Sequence, residues 1–176
     1  MFLTTHAAAG ALISQQVNSP TLAFFLSILA HFVMDFIPHG DQTLYQEWLP
    51  NKRRRAILFS GIDLIVTAGM VILLFEKTDP VRVKVFSAAI AGSLFPDLLS
   101  NAFPFIHQTF REVVIFRPLK ILRSKVFLLH PLLKQHNWLH EKFHSFVDNF
   151  FDYQVSPAAG FTIQAVILVV LLITVL

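Results

Sequence analysis

The sequence predicts an all-α, polytopic membrane protein folded as a single domain over residues 1–176. Three observations carry this. Hydrophobic residues make up 55% and charged residues only 14%, against about 25% charged in an ordinary soluble domain. The apolar residues fall in runs long enough to cross a bilayer, or nearly so. Lys and Arg lie beside those runs rather than spread along the chain, which makes the net charge of +3 topology information and not a nucleic-acid footprint. No nucleic-acid partner is expected.

About four transmembrane helices are predicted. The first covers Thr21–Pro38, the second Ala56–Phe75, the third roughly Val85–Ile106 and the fourth Ala158–Leu176, which holds no charge. A shorter apolar stretch, Phe2–Val17, precedes them. The turn signal Asn18-Ser19-Pro20 predicts that it folds back on the first span as an N-terminal helical hairpin arm. The arm has no Lys or Arg and is not read as a secretory signal. Cys is absent, which excludes disulfides, thiolate metal ligands and cysteine nucleophiles.

Basic residues orient the spans. Lys52, Arg53, Arg54 and Arg55 lie between spans one and two, and seven more, from Arg111 to Lys142, lie between spans three and four. Only Lys77, Arg82 and Lys84 fall between spans two and three. The sides with eleven basic residues are therefore expected in the cytoplasm, and with the hairpin the N-terminus joins them. Residues 107–157 form an interfacial segment. Within it Leu139, Phe143, Phe146, Val147 and Phe150 share one face of an amphipathic helix too polar to span.

The ionisable residues gather on the cytoplasmic side of this topology. With a rise of about 1.5 Å per residue, His31, Asp63 and Asp97 each sit roughly 10 Å inside the cytoplasmic ends of their spans. Asp35 and His39 lie nearer the interface, His6 lies near the cytoplasmic end of the arm, and His140 and His144 lie on the interfacial helix. Charged groups in hydrocarbon are costly and mark functional sites by default. Carboxylates at one depth repel one another unless a cation joins them. His31 and Asp35, and likewise His140 and His144, share helix faces at i,i+4. Imidazole and carboxylate together suit Zn²⁺, with Mn²⁺ or Fe²⁺ as further choices. The expected metal set is His6, His31, Asp35, His39, Asp63, Asp97, His140 and His144, and Glu141 is the candidate general base. Each element also has a plainer reading: His6 as a helix-end residue, Asp63 as a hydrogen bond that ties two helices together, Asp97 as the mark of a proline kink, and His140 and His144 as part of a solvated interfacial face.

Thr5-His6 with the small residues after it, Phe95-Pro96-Asp97, His140 to Ser145 and the His31–Asp35 pair resemble elements of a family of bacterial inner-membrane, metal-dependent hydrolases that includes a LexA-regulated member and is distantly related to zinc-dependent phospholipase C. Thr5-His6 followed by Ala7-Ala8-Ala9-Gly10 resembles that family's Thr-His start. Phe95-Pro96-Asp97 resembles part of its Pro-Asp-x-Asp-His element, for which Ile37-Pro38-His39-Gly40-Asp41 is a rival match. His140-Glu141-Lys142-Phe143-His144-Ser145 resembles its His-rich element, and His31 to Asp35 resembles the His-x-x-x-Asp pair of the zinc-dependent phospholipases. The resemblance implies hydrolysis of a phosphoester, such as a phospholipid, at the cytoplasmic face of the bacterial inner membrane. An ion- or proton-coupled transporter, or a non-catalytic membrane scaffold, are the alternative readings of the same buried residues.

Overall fold

In a computed structural model the chain is described at residues 1–37, 52–99 and 155–176, and at the single residues Gln135, Trp138, Lys142 and Phe146; for residues 52–57 and 157 only the backbone is described. The elements are α1 (Leu3–Gln16), α2 (Pro20–Asp35), α3 (Lys52–Lys77), a 3₁₀ turn (Pro80–Arg82), α4 (Val83–Asp97) and α5 (Pro157–Val175). No strand occurs among the described residues.

Three of the helical starts are written locally. Ser19-Pro20, Asp79-Pro80 and Ser156-Pro157 each pair a side-chain acceptor with a proline at the first helical position. The acceptors take the amides of Leu22, Val81 and Ala159, which the helix itself leaves without partners. Helix α1 has no such cap, because Phe2 stands at its N-cap. Its amides go instead to other helices. Leu3 N and Thr4 N donate to the Asp63 carboxylate of α3 at 2.7 and 3.2 Å, and Phe2 N donates to Gln164 Oε1 of α5 at 2.7 Å. At its far end Arg82 Nη2 donates to the carbonyls of Ser14, Gln15 and Val17. The charges match the helix macrodipole, negative at the amino end and positive at the carboxyl end.

These contacts make α1 the central helix of the bundle. It packs on α2, α3, α4 and α5, and residues Thr4–Ala11 are all buried. It runs antiparallel to α2 and α4 and parallel to α3 and α5: Gln164 meets its start, and Gln15 Nε2 donates to Val175 O at its end. The expected arm is thus a hairpin whose first helix is enclosed rather than peripheral. Small residues allow this. A Cβ on Gly10 would meet Ser93 Oγ at 2.7 Å, and one on Gly92 would meet the Phe24 carbonyl oxygen at 2.2 Å, so α4 approaches α1 and α2 at backbone distance.

Two helices, Leu58–Lys77 and Ala158–Val175, are long and apolar enough to cross a membrane, with mean hydropathies of 2.3 and 2.5. The first expected span corresponds to the shorter α2, and the described part of the third ends at Asp97–Leu99. The interior mixes apolar side chains, such as Leu74, Val85, Phe86 and Ile90, with polar ones, and the outer surface is largely apolar. His6, Ser27, His31, Asp35, Thr67 and Gln164 are buried, while Leu29, Ile65, Val169 and Ile173 are exposed, Ile65 to 74%. Only 11% of the residues in each apolar window are buried.

Candidate metal centre

Helices α1, α2 and α4 bring four ionisable residues to one end of the bundle. The α2 residues Ser27, His31 and Asp35 are spaced i,i+4 and all face inward. Antiparallel packing sets His6 of α1 against His31, and the two imidazoles stack with centroids 3.9 Å apart and planes 21° from parallel. The Asp35 carboxylate reaches both rings: Oδ1 lies 3.2 Å from His6 Nε2, and Oδ2 lies 3.2 Å from His31 Nε2. Asp97 of α4 stands at the rim, with Oδ2 3.8 Å from His6 Nε2 and Oδ1 4.0 Å from His31 Nε2. Its side chain is 13% exposed, whereas those of His6 and Asp35 are 0% and 1%. The Met1 amino group also donates to Asp35 Oδ1, at 3.0 Å.

The second ring nitrogen of His31 fixes its tautomer. Nδ1 lies 2.8 Å from the Ser93 carbonyl oxygen. A carbonyl only accepts, so Nδ1 carries the hydrogen and the lone pair of the neutral ring sits on Nε2, facing Asp35. A backbone carbonyl orienting the distal nitrogen is the usual support of a metal-ligating histidine. Ser93 lies three residues before Pro96, which stands inside α4 and has no N–H for the Gly92 carbonyl. One backbone hydrogen bond of the helix is therefore missing next to the carbonyl that His31 uses.

His6 is the less ordinary residue. It is wholly buried; Nδ1 makes no hydrogen bond with a described residue, and Nε2 faces the carboxylates of Asp35 and Asp97 without hydrogen-bond geometry. The large majority of buried side-chain polar atoms are hydrogen-bonded, and an exception calls for a reason such as an ion. The donor set fits one. His6, His31 and Asp35 each offer a ligand atom, all within 4.8 Å of one another. Ligands about 2.1 Å from a tetrahedral ion lie about 3.4 Å apart, a spacing inside the 4.8 Å within which the three atoms lie here. Two imidazoles and one or two carboxylates suit Zn²⁺, Mn²⁺ or Fe²⁺.

The structure does not bring Asp63 into this group. Its oxygens are taken by the first amides of α1 and by the Thr4 hydroxyl, which also lies 2.9 Å from Thr67 Oγ1. A carboxylate at a helix N-terminus satisfies donors that nothing else in an apolar bundle would satisfy. The plainer reading of Asp63 describes its contacts. Arg82, counted with Lys77 and Lys84 in a connecting loop, is likewise a helix cap. His39, His140, Glu141 and His144 lie outside the described residues. Phe146 is described, and its ring lies 6.3 Å from that of Phe36, just past the Asp35 end of α2.

Compared with protein families, with characterised proteins and with solved structures, the chain matches none.

Proposed function

We propose that the chain is a membrane-embedded metalloprotein in which His6, His31, Asp35 and Asp97 hold one divalent ion, and that it hydrolyses a phosphoester at the membrane surface. The observation that carries the metal reading is His6: a fully buried imidazole whose Nδ1 has no hydrogen bond to a described residue and whose Nε2 faces a buried carboxylate at 3.2 Å, stacked on a second imidazole. The membrane reading rests on the many Leu, Ile and Val side chains exposed on the outer surface of α3 and α5, together with ionisable groups buried inside the bundle. In this reading α2 and α4 add two further crossings to α3 and α5, and the end of the bundle holding the site faces the cytoplasm of a bacterial inner membrane.

Zinc is the ion the donor set favours, with manganese or iron as alternatives. What such an ion supplies is Lewis acidity toward a phosphoryl oxygen and activation of water near neutral pH. The chain's own contribution is separable from that. Ser93 orients His31, Asp35 bridges the two imidazoles, and the three packed helices keep bulk water from the buried side. Asp97, on the partly exposed edge, is where a substrate enters. A phospholipid ester reaches such an edge at headgroup level without leaving the bilayer.

The test is hydrolysis by the full-length protein in mixed micelles, supplied in turn with Zn²⁺, Mn²⁺ and Fe²⁺ and offered phospholipids and a soluble phosphodiester. Phosphoester release that Asp35→Asn abolishes is the expected result. Stoichiometric metal binding without release from any of these substrates would reject the hydrolase reading while leaving the metal site.

A further inference from the structure

We infer that Asp63 and Arg82 set the axial position of α1, and so the height at which His6 meets Asp35, giving two residues outside the ligand set control over how tightly the site holds a cation. The cation part rests on the metal reading above; the axial part rests on geometry alone.

The starting point is the surface of α1. From Ala7 to Ala11 it presents only Ala and Gly to its neighbours. Helix packing specifies register through ridges of side chains that enter grooves. A stretch of methyl groups and hydrogens has shallow ridges, so apart from the close approach of Gly10 to Ser93 it offers little side-chain interlock against sliding. One residue of slip moves it about 1.5 Å. That is enough to take His6 Nε2 out of reach of the atoms that Asp35 and His31 offer it, at 3.2 Å for the nearer carboxylate oxygen. The site needs a finer axial definition than the small residues provide.

Polar pins at both ends provide it. At the amino end Asp63 takes Leu3 N at 2.7 Å, Thr4 N at 3.2 Å and the Thr4 hydroxyl. Thr67, one turn along α3, contacts Thr4 Oγ1 at 2.9 Å and donates to the Asp63 backbone carbonyl at 2.7 Å. At the carboxyl end Arg82 Nη2 reaches Ser14 O at 2.6 Å, Gln15 O at 3.2 Å and Val17 O at 2.8 Å, and Nη1 reaches Asn18 Oδ1 at 3.1 Å. Both pins belong to one continuous piece of chain, α3 and the 3₁₀ turn that follows it. This piece runs parallel to α1 and grips its two ends like the jaws of a caliper. Each jaw bears the charge the facing helix end attracts, so movement in either direction lengthens charge-assisted hydrogen bonds. His6 sits one turn inside the Asp63 jaw.

The test has two arms, both on full-length protein in detergent. In the first, Co²⁺ is titrated into wild type, Asp63→Leu, Asp63→Asn, Arg82→Ala, Arg82→Lys and the exposed control Lys84→Ala, and the visible absorption bands are recorded. Partners outside the ligand set are worth about ten- to a hundredfold in metal affinity. Asp63→Leu and Arg82→Ala are expected to lose that much and to shift the bands. Asp63→Asn, which keeps an acceptor, and Arg82→Lys, which keeps a charge, recover most of the loss, and Lys84→Ala changes nothing. In the second arm no metal is involved. The chain has no Cys, so a His6→Cys, His31→Cys pair can be oxidised without competing thiols. The disulfide should form readily with both jaws intact and several-fold more slowly when Asp63→Leu or Arg82→Ala is added.

Folded jaw variants that keep both the wild-type Co²⁺ affinity and the wild-type cross-linking rate would overturn the inference. A wild type that binds no Co²⁺ rejects the metal reading, and the cross-linking arm then decides the axial claim by itself. Should Asp63→Leu fail to fold, Asp63→Asn and Arg82→Ala carry both arms.

Discussion

Gly92→Ala is the substitution whose cost can be read most directly from the geometry. A methyl group at this position of α4 would lie 2.2 Å from the Phe24 carbonyl oxygen and 2.9 Å from its carbonyl carbon. Ordinary contact begins at about 3.4 Å, and the obstacle is backbone within a helix, so no side-chain rotation relieves it. Helices α2 and α4 must part by about 1 Å. Overpacking of this kind costs about 1–3 kcal/mol, and the upper end applies where the backbone must move. About 3 kcal/mol is more than a hundredfold in the ratio of folded to unfolded protein. The damage extends to the site, because the next residue, Ser93, holds His31 at 2.8 Å. Added to that distance, the parting gives about 4 Å, beyond a hydrogen bond. Gly61→Ala is the matched control. A Cβ there meets nothing within 4 Å, and the exchange should stabilise α3 by about 0.5–1 kcal/mol. The assay is unfolding in mixed micelles, followed by circular dichroism, alongside metal content. If Gly92→Ala and Gly61→Ala unfold within about 1 kcal/mol of each other, the close α2–α4 approach is wrong, and with it the reason given for the orientation of His31.

Two further substitutions probe the interior and the outer surface. Ser27 is wholly buried and its hydroxyl has no hydrogen-bond partner among the described residues. Removing an unsatisfied buried hydroxyl recovers part of its desolvation cost, so Ser27→Ala should be neutral or stabilising by about 1 kcal/mol. A clear loss of stability would mean that the hydroxyl has a partner elsewhere in the chain. Ile65, 74% exposed within the Leu58–Lys77 window, should face lipid, and Ile65→Arg should weaken membrane insertion by about 3–4 kcal/mol. Unchanged insertion and membrane retention would put that face of α3 in water or against another protein.

What was legible in the sequence was mostly what local chemistry encodes. The helical class followed from the apolar runs, the turn before α2 from Asn18-Ser19-Pro20, and the span of α5 from its uncharged apolar run. The i,i+4 spacing of His31 and Asp35 placed both on one face, and His6, His31, Asp35 and Asp97 stood among eight candidate ligands gathered on one side of the bilayer, with Asp63 counted among them. The central position of α1 was not legible. Its run of Thr, Ala and Gly is only weakly apolar and reads as a peripheral arm, because the value of small residues lies in how closely other helices approach them. The roles of Asp63 and Arg82 were hidden for a related reason. Depth along a span does not distinguish a carboxylate that faces an ion from one that caps a neighbouring helix. One signal was present: α1 begins at Phe2-Leu3 with no Ser, Thr, Asp or Asn at its N-cap. A buried helix without its own cap needs an acceptor from another element, and Asp63 and Gln164 are the residues that serve.

The central claim is that His6, His31, Asp35 and Asp97 hold a divalent ion. Its most direct test is elemental analysis of the protein purified in detergent, wild type beside an Asp35→Asn, Asp97→Asn double variant, each checked for helical content. The account predicts about one equivalent of zinc, manganese or iron in the wild type and little in the variant. A folded wild type that carries no metal, and takes up none when offered each of the three, would contradict it, and His6, His31 and Asp35 would then be a buried polar network that serves helix packing alone.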